Sequence, residues 1–144
     1  MKTLSRRFAL RALVAGALLS LSPGPATESA AEGGAGTTVV YYFHATARCA
    51  TCRTIEAYAH EALTSTFGAE LKAGEVEWRM VNVEEPGNEH FMNDFGLYTR
   101  SVVLTDAKDS KRFKVLDRVW QLVQDKAAFQ RYVEDEVRAF RSAG

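Results

Sequence analysis

The sequence predicts an α/β domain: a central mixed sheet of four strands, ordered β-α-β-α-β-β-α along the chain, with helices on both faces. Three observations predict it. Residues 38–43 form an uninterrupted β-branched and aromatic run, the period then changes to 3.6 residues, and short strand-like runs alternate with helical ones to the end of the chain. A length of 144 residues suffices for one domain and is too short for two of ordinary size.

The elements follow in order. Thr-Val-Val-Tyr-Tyr-Phe at 38–43 has no polar alternation, the signature of a strand buried on both faces. From Cys52 onward Ile55, Ala59, Ala62, Leu63 and Thr66 share one helical stripe, and Gly68 or Gly74 is placed to end it. Residues 75–83 alternate, with Val76, Trp78, Met80 and Asn82 on one face, as a second strand does. Pro86-Gly87-Asn88 makes a turn, and 89–95 a short helix stopped by Gly96. A third strand, 101–105, and a fourth, 112–116, flank the polar turn 106–110. Asp117 is placed to cap a turn of helix running to Val123. Asp125 caps a last helix whose stripe is Phe129, Tyr132, Val133, Val137 and Phe140. A helix after each of the first two strands implies two right-handed parallel crossovers.

Residues 1–31 read as a secretory signal. Lys2, Arg6, Arg7 and Arg11 precede the apolar stretch 12–22, and Ser29-Ala30-Ala31 offers a cleavage site. Residues 5–11 partly match a twin-arginine signal, with Ala9 where a large apolar residue is usual, so both export routes stay open. An uncleaved amphipathic tail is the alternative. Residues 32–37, rich in glycine, read as a flexible linker, and 38–144 as the folded domain. An exported, periplasmic location permits a lasting disulfide. The basic leader leaves a mildly acidic body, which argues against nucleic acid as partner. No apolar run reaches the roughly 18 residues of a membrane span.

Both cysteines of the chain lie in Cys49-Ala50-Thr51-Cys52, after the first strand and where the first helix begins. Backbone N–H groups and the positive end of the helix dipole stabilise a thiolate there, and Arg48 and Arg53 add positive potential. Thiols in such settings fall from a pKa of about 8.5 into roughly the 3.5–7.5 range. The i,i+3 spacing puts the two sulfurs on one side of the helix. Cys49 is then the exposed attacking thiol and Cys52, one turn inward, the resolving one. Other uses of the pair stand beside this one. A zinc site would need His44, His60 or His90, which lie at no recognised ligand spacing. A purely structural disulfide would close too short a loop to restrict the unfolded chain much. Two thiolates can also capture a soft metal or metalloid such as arsenite or copper(I).

Val-Val-Tyr-Tyr-Phe-His-Ala ahead of the cysteines, Cys49-Ala-Thr-Cys52 with Ile55 beyond, Val81-Asn82-Val83-Glu84 and Phe95-Gly96-Leu97 together resemble the thioredoxin-like family. More narrowly, residues 41–58, 88–91 and 97–104 resemble the ArsF-type nitrophenyl compound nitroreductase subunit family. The resemblance implies a thioredoxin-like fold, a redox-active Cys49–Cys52 disulfide and a protein redox partner: a membrane or periplasmic thiol reductant, or a reductase subunit. It also implies that 98–101, including Arg100 and Ser101, faces the cysteines. The chain departs from the pattern at three positions. Ser101 stands where the family has a cis-proline; a cis bond before a non-proline residue costs about 2.5–4 kcal/mol, so a trans Arg100–Ser101 peptide is expected. Thr51 replaces the proline usual between the cysteines. Tyr42 stands where the family buries a proton-moving aspartate, a role for which Glu56, Glu84 or His44 would then be the substitutes. Nitro reduction requires a cofactor such as flavin, yet there is no glycine-rich dinucleotide fingerprint, and two cysteines alone do not hold an iron–sulfur cluster. No tightly bound cofactor is therefore expected. Trp78 and Trp120 read as core residues, and Glu84, Glu85 and Glu89 as a solvated turn.

Overall fold

The computed structural model describes residues 36–144, so the leader 1–31 and most of the linker lie outside the described residues. The strands are β1 (Thr38–His44), β2 (Val76–Asn82), β3 (Ser101–Asp106) and β4 (Phe113–Val115). They form one sheet in the order β2-β1-β3-β4. The continuous apolar run of β1 is explained by its interior place: a strand with neighbours on both sides and helices on both faces has little wet surface. Val39, Val40, Tyr42 and Phe43 are accordingly each at most 1% exposed.

The helices are α1 (Ala50–Thr66), α2 (Gly68–Ala73), α3 (His90–Asp94), α4 (Val119–Leu122) and α5 (Lys126–Ser142). One core lies between the sheet and α1 with α5, built from Val40, Tyr42, Val102 and Leu104 against Ile55, Leu63, Phe129, Val133 and Val137. The other face carries a smaller core, Phe43, Phe95, Leu97 and Val103, with Phe91 and Met92 of α3 packed on it. Full burial of each such large side chain contributes roughly 1.5–3 kcal/mol. The expected four-stranded mixed sheet with helices on both faces is thus present.

Three expectations need correction. β1 and β2 are parallel, but β3 runs antiparallel to β1, so only the first connection is a parallel crossover. The register shows why. His44 pairs with Asn82, and Phe43 with Ser101, so the chain leaves β2 and enters β3 at the same end of the sheet, and 83–100 covers that end without crossing. The first long helix is broken at Phe67. That residue turns inward to 3% exposure, and Gly68 starts α2 instead of ending α1. Gly74, at φ 74°, closes α2 in the left-handed region that glycine tolerates. Finally, α4 begins after Arg118 with no side-chain cap, one residue past Asp117. Asp125 does cap α5, accepting from the Ala128 amide at 2.9 Å.

Candidate functional site

The site is assembled at the end of the sheet where β1 and β2 finish. Residues 45–49 leave β1 and deliver Cys49 to the N-cap of α1, in extended backbone with φ −75° and ψ 163°. Its Sγ accepts from the Cys52 amide at 3.0 Å, so sulfur does here what a serine or aspartate oxygen does at other N-caps. Cys49 and Cys52 are joined in a disulfide, their Cα atoms 5.1 Å apart. Cys49 is exposed while Cys52 is 1% exposed. One sulfur is thus open to a partner, and the other is screened by the helix and β1.

The loop carrying Cys49 is fastened on both sides. From the end of β2, Glu84 accepts from the Thr46 amide at 2.9 Å and the Asn82 amide group donates to the Thr46 hydroxyl at 3.0 Å. That backbone donor to Glu84 holds its carboxyl below the ordinary carboxylate range. From the other side Arg100 donates to the Ala47 carbonyl at 3.1 Å, and the indole N–H of Trp120 in turn donates to the Arg100 carbonyl at 2.9 Å. Ser101 is 7% exposed and its hydroxyl bonds the Thr99 carbonyl at 2.8 Å. Arg100 is therefore tied to the cysteine loop, while Ser101 is spent on Thr99 and pairs with Phe43 at the start of β3.

The remaining expected residues are placed as follows. Arg48 forms an ion pair with Glu56, one turn beyond Cys52 on α1, and its guanidinium lies 6.0 Å from the Tyr42 ring centre. Its charge is therefore partly taken up by a carboxylate. Arg53 is exposed and Thr51 half-buried in the first turn of α1. His44 is half-buried, its Nδ1 3.1 Å from the Ala45 carbonyl and its ring 6.0 Å from that of Tyr42. Glu56 and Glu84 are committed to Arg48 and Thr46 respectively. Among the described residues, no cluster of three or more His, Cys, Asp or Glu side chains is arranged to hold a metal ion. Glu89, from the acidic turn, accepts from the Gly87 amide at 2.8 Å.

Two further residues enter the site: Trp120, read from the sequence as a core residue, and Tyr42, read as standing in place of a buried aspartate. Trp120 holds Arg100, as described. Tyr42, 0% exposed, donates its hydroxyl to the Cys52 carbonyl at 2.6 Å. Burial pushes the Tyr42 phenol up, against the smaller opposing pull of Arg48 and Arg100. Both residues carry one polar atom on an apolar body, the signal that marks a side chain able to bond while buried. Beside the loop a cleft of about 190 Å³ is lined by Phe43, Val83, Met92, Glu84, Arg100 and Tyr98, among others. It is smaller than the roughly 300–1,000 Å³ of sites for drug-sized ligands.

No family model and no curated protein matches the chain. Among solved structures it is similar to thioredoxin O2 from Arabidopsis thaliana in the oxidised state. The identity is 20% and the TM-score 0.43, over 66% of this chain and 76% of that one.

Proposed function

We propose that this chain is an exported thiol–disulfide exchange protein whose Cys49–Cys52 pair cycles between dithiol and disulfide. The observation that carries the reading is the asymmetric pair at the start of α1: an exposed Cys49 sulfur at the N-cap, bonded to a buried Cys52. In the reduced chain the Cys49 thiolate attacks one sulfur of a partner disulfide. A mixed disulfide forms, and the partner's other sulfur leaves as a thiolate that takes up a proton. Cys52 then gives its proton to solvent, and its thiolate attacks the Cys49 sulfur. The ring closes and the second partner thiolate departs, so two electrons have passed from chain to partner. Run in reverse, the same steps oxidise a partner dithiol. A narrower form of this reading, supported by the resemblance of residues 41–58 and 97–104, is electron delivery to a nitro-compound or metalloid-related reductase that carries its own cofactor.

Thiol trapping across glutathione buffers tests the proposal. The pair is expected to switch state within roughly −270 to −120 mV, the span of known dithiol couples, and trapping in periplasmic extracts is expected to recover the chain without residues 1–31. A pair fixed in one state throughout removes redox cycling. Tight one-to-one uptake of arsenite or copper(I) by that reduced chain, lost in Cys49→Ser, would put thiolate capture in its place.

A further inference from the structure

Tyr42 sits in the middle of β1, yet its hydroxyl reaches the first turn of α1 and donates to the Cys52 carbonyl at 2.6 Å. A fully buried phenol needs an acceptor; which one it has chosen is informative. Within an α-helix a carbonyl already receives the amide four residues on, so Cys52 does not need a second donor for its own sake. The bond fastens to the sheet the one residue whose sulfur closes the disulfide. The ring itself has no room to swing away. Trp78 stacks on it at 6.3 Å and 6°, His44 lies at 6.0 Å, and the Arg48 guanidinium at 6.0 Å.

Resting on the exchange reading above, we propose that Tyr42 is a positioning residue for the resolving step: its hydroxyl pins the Cys52 backbone so that the Cys52 sulfur is held at bonding distance from Cys49. The chemistry it serves is balanced without it. Cys52 loses its proton to solvent, its thiolate bonds to the Cys49 sulfur, and the partner's thiolate leaves with the electron pair of the broken bond. Tyr42 neither gives nor takes a proton, since burial keeps its phenol neutral. It acts by raising the effective concentration of the Cys52 thiolate at Cys49, as orientation does in any intramolecular step. Ring closure, and hence the disulfide, is favoured over the dithiol.

Tyr42→Phe removes one oxygen and keeps the packed ring. The equilibrium constant for disulfide formation against glutathione is expected to fall about three- to tenfold, tenfold being about 30 mV. Resolution of a pre-formed mixed disulfide at Cys49 is expected to slow by a similar factor. The first attack by Cys49, compared in Cys52→Ser and Tyr42→Phe/Cys52→Ser chains, is expected not to change. Tyr132→Phe, a partly buried phenol on α5, is the control and should leave all three quantities alone. A Tyr42→Phe chain with the wild-type constant and resolution rate overturns the proposal, as does an equal loss in both steps. A wild-type pair that never equilibrates with glutathione instead overturns the exchange reading, which keeps the two failures apart. Should Tyr42→Phe fail to fold, NMR on the reduced wild-type chain decides. A Tyr42 hydroxyl proton protected from solvent exchange supports the pin, and one exchanging freely overturns it.

Discussion

Two residues separate an exposed cysteine from one that is 1% exposed, and the charges around them are less one-sided than the flanking arginines imply. Arg48 spends part of its field on Glu56, in a pair whose side chains retain 24% and 23% of their exposure. Glu56→Gln returns that field to Cys49. The reduced variant is expected to alkylate along a pH profile shifted about half a unit downward; iodoacetamide rates against pH read it directly, and an unmoved profile would mean that Arg48 acts only on Glu56. The place of the cysteines was legible from sequence, because a buried strand followed by a helical stripe fixes where a helix starts. The partners of Arg48, Tyr42 and Trp120 were not. Hydropathy treats a tyrosine or tryptophan as an apolar body, and the direction of its single polar atom is settled by packing between elements far apart in the chain.

Among the elements, α5 was readable to its first residue, since Asp125 and the stripe of Phe129, Val133, Val137 and Phe140 agree on where it starts and which side it buries. Asp125→Ala removes the acceptor of the Ala128 amide and is expected to cost about 1 kcal/mol, seen as a lower urea midpoint with an unchanged slope. Less was readable for α1 and β3. Phe67 fits the continuing periodicity of α1, but its ring is drawn into the core and the backbone turns with it, to φ −115°. The direction of β3 carries no hydropathic signal at all, because an antiparallel and a parallel interior strand bury the same side chains. Only the return of 83–100 to the same end of the sheet decides it.

On the scale of the whole molecule, the layered architecture was legible and its response to pH follows from contacts that were not. Glu61, Glu84 and Asp106 are all held below their ordinary values of 4.5, 4.5 and 3.8, chiefly by Lys126, the Thr46 amide and the Lys108 amide. A carboxyl depressed in the folded state contributes stability that is present above its unfolded value and lost as pH falls through the folded one. Tyr42 and Tyr132 are raised above 10.0 by burial, so their contribution is present below pH 10 and lost as pH climbs through the raised values. Urea midpoints are therefore expected to hold level between about pH 5 and 9 and to decline on either side. Glu84→Gln should flatten the acid decline and Tyr42→Phe the alkaline one; a variant whose limb matches wild type would remove its group from the account.

The order β2-β1-β3-β4 leaves two outer strands, and each is poorly suited to recruiting a neighbour. β4 has only 3 residues, with Lys114 at its middle, and β2 displays the charged Glu77–Arg79 pair along its rim. Short or charged borders of this kind discourage a foreign chain from zipping onto a sheet. Growth of the sheet by a second copy of the chain is thereby disfavoured at either flank.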